Sequence, residues 1–217
     1  MPTAPIVSPA FLTPDTYGLA LLGLAIAYLL GDIPFGYLLV KLTTGRDVRA
    51  SGSGNIGATN VLRTTGRAAG VATLLLDIGK GYLAVWLEGR LTGGNVSWMG
   101  AAALAVMIGH SYPALLRFRG GKAVASFVGA WLCLTPLPLA AVLLVFVVMV
   151  AFTRHISLGS IVGAATFPLA VWLIEHPPFT VVAAAILSGA LVVYRHSENI
   201  ARLRAGTESV FSFGSRK

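Results

Sequence analysis

Stretches of about 20 mostly apolar residues, separated by polar intervals, recur along the chain from about residue 17 to residue 195. Seven such segments can be drawn, at about 17–40, 69–88, 96–113, 121–135, 137–153, 158–174 and 179–195. A helix needs about 20 apolar residues to cross a hydrocarbon core of about 30 Å, so the pattern predicts membrane-spanning helices. The fourth and sixth segments are short for an average span, which leaves open a tilt, a locally thin bilayer or a re-entrant path. Most connections are short and favour antiparallel neighbours in one bundle. The longest polar interval, roughly 41–68, follows the first segment. Without a repeat or a low-complexity linker to divide the chain, one domain over residues 1–217 is expected. The expected fold class is an all-α integral membrane protein with seven transmembrane helices.

Composition strengthens this reading. Of 217 residues, 56% are hydrophobic and only 11% charged, against about 25% charged in a soluble domain. A soluble protein this poor in charge would expose apolar patches large enough to aggregate. The net charge of +8 would suggest nucleic acid in a soluble protein. Here the placement of the charges points to membrane topology instead, and no nucleic-acid partner is expected. With seven spans, 14 of the 16 Lys and Arg residues fall on one face, in the interval 41–68, around Arg117–Lys122, at Arg154 and in the tail from Arg195. Arg90 alone lies on the other face, and Lys80 lies inside a span. The positive-inside rule then puts the N-terminus outside and the C-terminus in the cytoplasm. The single cysteine, Cys133, sits in an apolar run and reads as a buried, inert thiol. No basic residue precedes the first apolar segment, so no cleaved secretory signal is expected.

Four polar constellations interrupt the apolar pattern. The first, Ser51–Asn60, contains Gly52-Ser53-Gly54-Asn55-Ile56-Gly57, which spells G-x-G-x-x-G. A dinucleotide fingerprint needs a preceding strand and an acid about 20 residues on. Here a membrane helix and a basic connector precede it, and Asp77, at the right distance, lies inside an apolar helix. Phosphate binding survives that objection. Glycines let the backbone approach an anion, and successive N–H groups make a concave nest. Ser53, Asn55, Thr59 and Asn60 add donors and Arg63 a forked cation. A connector kept glycine-rich only for turns would not call for so many donors.

The second constellation, Arg117–Lys122, sets two arginines, Gly120, Gly121 and Lys122 before a helix start, where exposed N–H groups favour anions. Arg117 and Arg119 read equally well as topology charges or headgroup contacts, whereas Lys122 beside the glycine pair is the better ligand candidate. The third, Thr153–Ser160, offers Ser157 and Ser160, which read equally as hydroxyls bonded back onto their own helix. In the fourth, Tyr194–Ser209, His196 and Asn199 share one helical face if the last span continues through them. His196 is a candidate for substrate positioning or proton shuttling, or simply a helix cap. All four fall on the predicted cytoplasmic face. They describe a cationic, hydroxyl- and amide-rich basin where a phosphorylated soluble molecule could meet a lipid-soluble one. Asp77 and Lys80, three apart inside the second segment, read as an ion pair in preference to a relay.

The stretches "SGSGNIGATNVLR", "GHSYPALLRFRGGKAVA", "SLGS" and "RHSENIARLRAGTE" closely resemble, in order, the motifs of the bacterial acyl-phosphate:glycerol-3-phosphate acyltransferases, the PlsY family. The resemblance spans about residues 31–208, and "GDIPFGYLL" also fits it. It implies a seven-span, multi-pass enzyme of the bacterial cytoplasmic (inner) membrane, with its active site on the cytoplasmic side. That enzyme would make lysophosphatidic acid in the first acylation step of phospholipid synthesis, with fatty acyl phosphate as donor. The His-x-x-x-x-Asp dyad of the other large group of glycerophosphate acyltransferases is absent, since no histidine has an aspartate five residues later.

On that resemblance Ser53, Arg63 and Lys122 are expected to hold glycerol 3-phosphate. The acyl phosphate is expected on Gly54, Asn55, Gly57, Thr59 and Asn60, with Gly120 and Gly121. His196, Asn199, Ser157 and Ser160 are the expected catalytic group, and the two serines are not distinguished. Neither a Ser/His/Asp nucleophile set nor a metal-ligand cluster is evident, and no cofactor is expected. Direct transfer is therefore expected, and the resemblance implies that it is substrate-assisted, a substrate phosphate oxygen taking the hydroxyl proton. Membrane lipids and the enzyme that produces acyl phosphate are the implied partners. The rival reading is a transporter of a phosphorylated metabolite, which usually shows repeated halves and polar breaks at the midplane.

Overall fold

A computed structural model describes residues 14–211; every regular element among them is helical. The N-terminal stretch read for a signal and the tail charges Arg216 and Lys217 lie outside the described residues. The first apolar segment becomes two helices, α1 (Pro14–Asp32) and α2 (Phe35–Thr44), because Pro34 supplies no backbone N–H and breaks the ladder. Gly45 ends α2 in the left-handed region, at φ 71°, with its N–H on the Lys41 carbonyl. A 3₁₀ turn at Val48–Ala50 is capped by Asp47, whose carboxylate accepts from the Arg49 N–H and pairs with its guanidinium at 2.7 Å. That pairing holds the Asp47 carboxyl below its usual range. The glycine loop follows, then the short α3 (Ala58–Thr65).

The long helices are α4 (Arg67–Leu91), α5 (Val96–Ser111), α7 (Pro136–Thr153), α8 (Ile156–Glu175) and α9 (Phe179–Arg195). Asn95 caps α5 by accepting from the N–H groups of Ser97 and Trp98. Among the described residues five spans are long and apolar enough to cross a membrane, including Thr16–Thr44. A sixth is added if α9 and α10 (Ser197–Arg204), bent by 56° from each other, count as one. The short sixth segment of the sequence pattern is the full 20-residue α8.

The fourth apolar segment departs from the expected span. Its helix, α6 (Val124–Leu134), has only 11 residues and rises about 16 Å, half the hydrocarbon thickness. Residues 120–123 are drawn into a turn that bonds to α5 and α9 instead of extending the helix.

Lipid tails are as apolar as leucine, so close packing, more than hydrophobicity, holds such helices together. The α4–α6 contact illustrates this: a Cβ on Gly129 would collide with the Ile78 carbonyl, and one on Gly81 with the Ser126 carbonyl. Behind α6, the rings of Phe127 and Trp131 each meet Phe167 of α8 with centroids 4.8 Å apart. Leucines such as Leu21, Leu75, Leu144 and Leu173 face outward, as lipid contact requires. A smaller cluster of Val40, Val48, Ile56, Val61 and Leu116 carries the glycine loop outside this core.

Candidate active site

The ends of α5 and α9 meet the beginnings of α3, α4, α6 and α8 around a cavity of about 520 Å³. One end is polar, with Arg63, Lys122 and Arg202 facing Glu208; Leu74, Ile78, Val128, Leu143 and Phe146 make an apolar wall deeper in the bundle. Ser53, Asn55, Gly57, Thr59, Asn60, Arg63, Lys122, Ser157, Ser160, His196 and Asn199 all line it. The structure therefore brings all four sequence constellations together. Gly54, Gly120 and Gly121 are not in the lining, so their contribution is to the turns that carry their neighbours.

The glycine loop is less of a nest than its spelling suggests. Three of its amides are spent internally, Ser53 N–H on Asn60 Oδ1, Gly54 N–H on the Ser51 carbonyl and Gly57 N–H on Asn55 Oδ1. What remains for an anion is the start of α3, where helix geometry leaves the first N–H groups without an intrahelical partner. Asn60, expected as a ligand, is 2% exposed. Its Nδ2 donates to the carbonyls of Val48, Ser51 and Asn55 at 3.2, 3.1 and 2.8 Å. Asn60 therefore builds the loop, and Ser53, Thr59 and Arg63 are the side chains it presents.

Lys122 donates to Asn199 Oδ1, and Asn199 Nδ2 donates to Glu208 Oε1 at 2.7 Å. Burial, with repulsion from Arg202, lowers the Lys122 ammonium to a pKa of about 8 despite the opposing Glu208. His196 is not on a continuing helix: α9 stops at Arg195, and His196 caps it at the bend. Its Nδ1 meets the Val192 carbonyl at 2.7 Å, a contact that selects the tautomer with Nε2 free to accept. The bend still leaves His196 and Asn199 buried in the cavity wall. The two serines separate here. Ser160 Oγ donates back to the Ile156 carbonyl at 3.0 Å, whereas Ser157 Oγ donates to Glu208 Oε1 at 2.8 Å.

Glu208 is the residue the sequence reading missed. It accepts from Ser157, Asn199 and Arg202 Nε, which joins α8, α10 and the tail. Burial opposes its ionisation, but these three donors together hold its carboxyl below the ordinary range. Its signal was the one acid that follows Arg202 in a basic tail, six residues on. Behind it Ser209 Oγ accepts from Arg63 Nη2 at 3.1 Å, and the Phe211 N–H reaches the Arg154 carbonyl, so the tail folds back along the cavity. Asp77 and Lys80 form the expected ion pair at 2.9 Å.

Residues 21–206 match the glycerol-3-phosphate acyltransferase family. The chain belongs to that family. A glycerol-3-phosphate acyltransferase of Geobacter sulfurreducens is 48% identical over 86% of this chain and 95% of its own length. Another, of Desulforamulus reducens, is 46% identical over 88% and 94%. The crystal structure of PlsY (YgiH), an integral membrane glycerol 3-phosphate acyltransferase in its glycerol 3-phosphate form, superposes with a TM-score of 0.84. That structure is 38% identical and is covered over 96% of its length, against 89% of this chain. Its lysophosphatidic acid form aligns with a TM-score of 0.81 at 36% identity. The family is therefore one of integral membrane acyltransferases, and the helical fold carries over nearly the whole chain.

Proposed function

We propose that this protein transfers a fatty acyl group from acyl phosphate to glycerol 3-phosphate, with lysophosphatidic acid and phosphate as products. The observation that carries the reading is the two-ended cavity, in which clustered cations lie next to an apolar wall within the bundle. One end suits two phosphates, and the other suits an alkyl chain arriving from the bilayer. Membership of the glycerol-3-phosphate acyltransferase family supports the acceptor, and the PlsY structures, in glycerol 3-phosphate and lysophosphatidic acid forms, support both acceptor and product.

Arg63 and Lys122, with Ser53, hold the glycerol 3-phosphate. The amides at the start of α3, with Thr59, His196 and Asn199, hold the phosphate of the donor. An acyl phosphate is a mixed anhydride and is already activated, so the main task is to bring two dianions together. The glycerol hydroxyl oxygen attacks the acyl carbon, the carbon–oxygen bond to phosphate breaks, and a departing phosphate oxygen takes the hydroxyl proton. Positioning and preorganised charge supply most of the rate. We assign the donor contact to Ser157, whose hydroxyl bonds Glu208 within the site and would turn to the donor, whereas that of Ser160 bonds back onto its own helix.

The chain acts as one domain with seven crossings, of which α6 makes the shortest. Its N-terminus is outside and its site opens to the cytoplasm of a bacterial inner membrane, as the placement of basic residues supports. Purified protein in lipid, given synthetic acyl phosphate and glycerol 3-phosphate, is expected to form lysophosphatidic acid. Absence of product refutes the reading, and uptake of glycerol 3-phosphate into vesicles would favour a transporter. Arg63→Ala and Lys122→Ala are expected to raise KM for glycerol 3-phosphate, and unchanged values would remove them from that role.

A further inference from the structure

Beneath the phosphate-facing residues lies a second polar cluster, in which Asp77 and His110 form part of the cavity wall and Lys80 sits behind them. Asp77 and Lys80 of α4 and His110 of α5 are 1%, 4% and 4% exposed. Ionisable groups at such depth are costly and call for a function, and the transfer step uses none of these. Lys80 Nζ pairs with Asp77 and also donates to the carbonyls of Gly31 and Ile33, at 3.0 and 2.8 Å. Those carbonyls lie at the Pro34 break between α1 and α2. His110 Nδ1 is buried without a hydrogen-bond partner, and Asp77 Oδ1 is the acid it approaches, at 3.6 Å.

The other side of His110 faces the turn before α6. Its backbone carbonyl accepts from the Gly121 N–H at 3.0 Å, and a Cβ on Gly121 would collide with its Nε2. From the opposite side Arg195 donates to the carbonyls of Gly121 and Gly120, each at 3.0 Å. The turn therefore lies between His110, whose backbone carbonyl bonds it and whose ring packs against Gly121, and the Arg195 guanidinium, and Lys122 is the next residue.

We infer that the buried Asp77–His110 pair, anchored by Lys80, positions the Lys122 ammonium for substrate phosphate by way of the Gly120–Gly121 turn. The inference rests on Lys122 being a glycerol 3-phosphate ligand. His110 is thus a positioning residue, and it acts on the acceptor site alone. A ligand moved by about 1 Å costs up to about 100-fold, and a turn that shifts without unfolding costs less.

The test is a double-mutant cycle with His110→Gln and Lys122→Ala, read as KM for each substrate and kcat in lipid. His110→Gln is expected to raise KM for glycerol 3-phosphate about tenfold and to leave KM for acyl phosphate within about twofold. In the Lys122→Ala background the same substitution should change KM by less than about twofold, because its effect passes through the missing ammonium. Additive effects on KM overturn the inference. So does a lower kcat with both KM values unchanged, which is the signature of a smaller folded fraction. Lys122→Ala with wild-type KM would instead refute the reading of Lys122 itself. Asp77→Asn, which keeps volume and shape, runs through the same cycle. If neither variant can be recovered folded, the cluster is structural and the inference falls.

Discussion

Asn60 offers a sharp separation of site from scaffold. Its side chain makes four hydrogen bonds inside the glycine loop, three donated and one accepted. Each is worth about 1 kcal/mol net, and because Nδ2 shares two protons among three carbonyls, Asn60→Ala should cost the ordered loop about 2–4 kcal/mol. At 1.4 kcal/mol per decade the ordered population falls relative to its competitors by about 30- to 700-fold. The loop rests on its own small apolar cluster, apart from the main core. Activity should therefore drop by about 100-fold while the melting temperature moves by less than about 3 °C. Asn60→Asp, which would turn a carboxylate oxygen toward the three carbonyls that Nδ2 now bonds, should lose at least as much activity as Asn60→Ala. The assay is lysophosphatidic acid formation in lipid at saturating concentrations of both substrates, paired with a thermal melt of the same preparation. Activity within about threefold of wild type in Asn60→Ala would refute the argument, since the loop would then be held by something other than this side chain. A loss of activity matched by a large fall in melting temperature would refute it differently, by tying the loop to the core.

Three further outcomes are expected. Burial puts the Lys122 ammonium at about 8, so it is charged below that pH and neutral above. KM for glycerol 3-phosphate should rise through pH 8 by up to about tenfold per unit, and a variant Lys122→Arg that binds should lose that limb. Gly129→Ala pushes a methyl into the Ile78 carbonyl and should cost about 1–3 kcal/mol, or about 5 °C in melting temperature, with both KM values unchanged. Glu208→Gln should cut kcat about tenfold, because Ser157, Asn199 and Arg202 lose their common acceptor. The folded Glu208 pKa lies below its ordinary 4.5. Its stabilising contribution is therefore complete above that value and lost as pH falls through the folded one, which an acid melt of wild type against Glu208→Gln would measure.

Much of the fold was legible because hydrophobic runs of fixed length report directly on the solvent around a helix. The composition, the long spans, the basic residues and the motifs of the cavity all follow from local sequence. The sixth segment, read as short, is a full helix; the fourth is a half-length helix. Length of apolar sequence counts what can lie in a membrane, and it does not register that residues 120–123 bond sideways to His110 and Arg195.

The sequence by itself determined that the chain is a helical membrane protein, which polar motifs interrupt its apolar pattern, and which family it resembles. These are properties of composition, period and short motifs, each decided within a few residues. Only the tertiary structure decided how those residues divide the work. Asn60 turned inward to build its loop, Ser157 and Ser160 parted according to which oxygen lay in reach, and Glu208 became the acceptor that joins three segments. The reason is physical: a donor is assigned by the acceptor within about 3 Å, and in this bundle that acceptor often comes from a helix dozens of residues away.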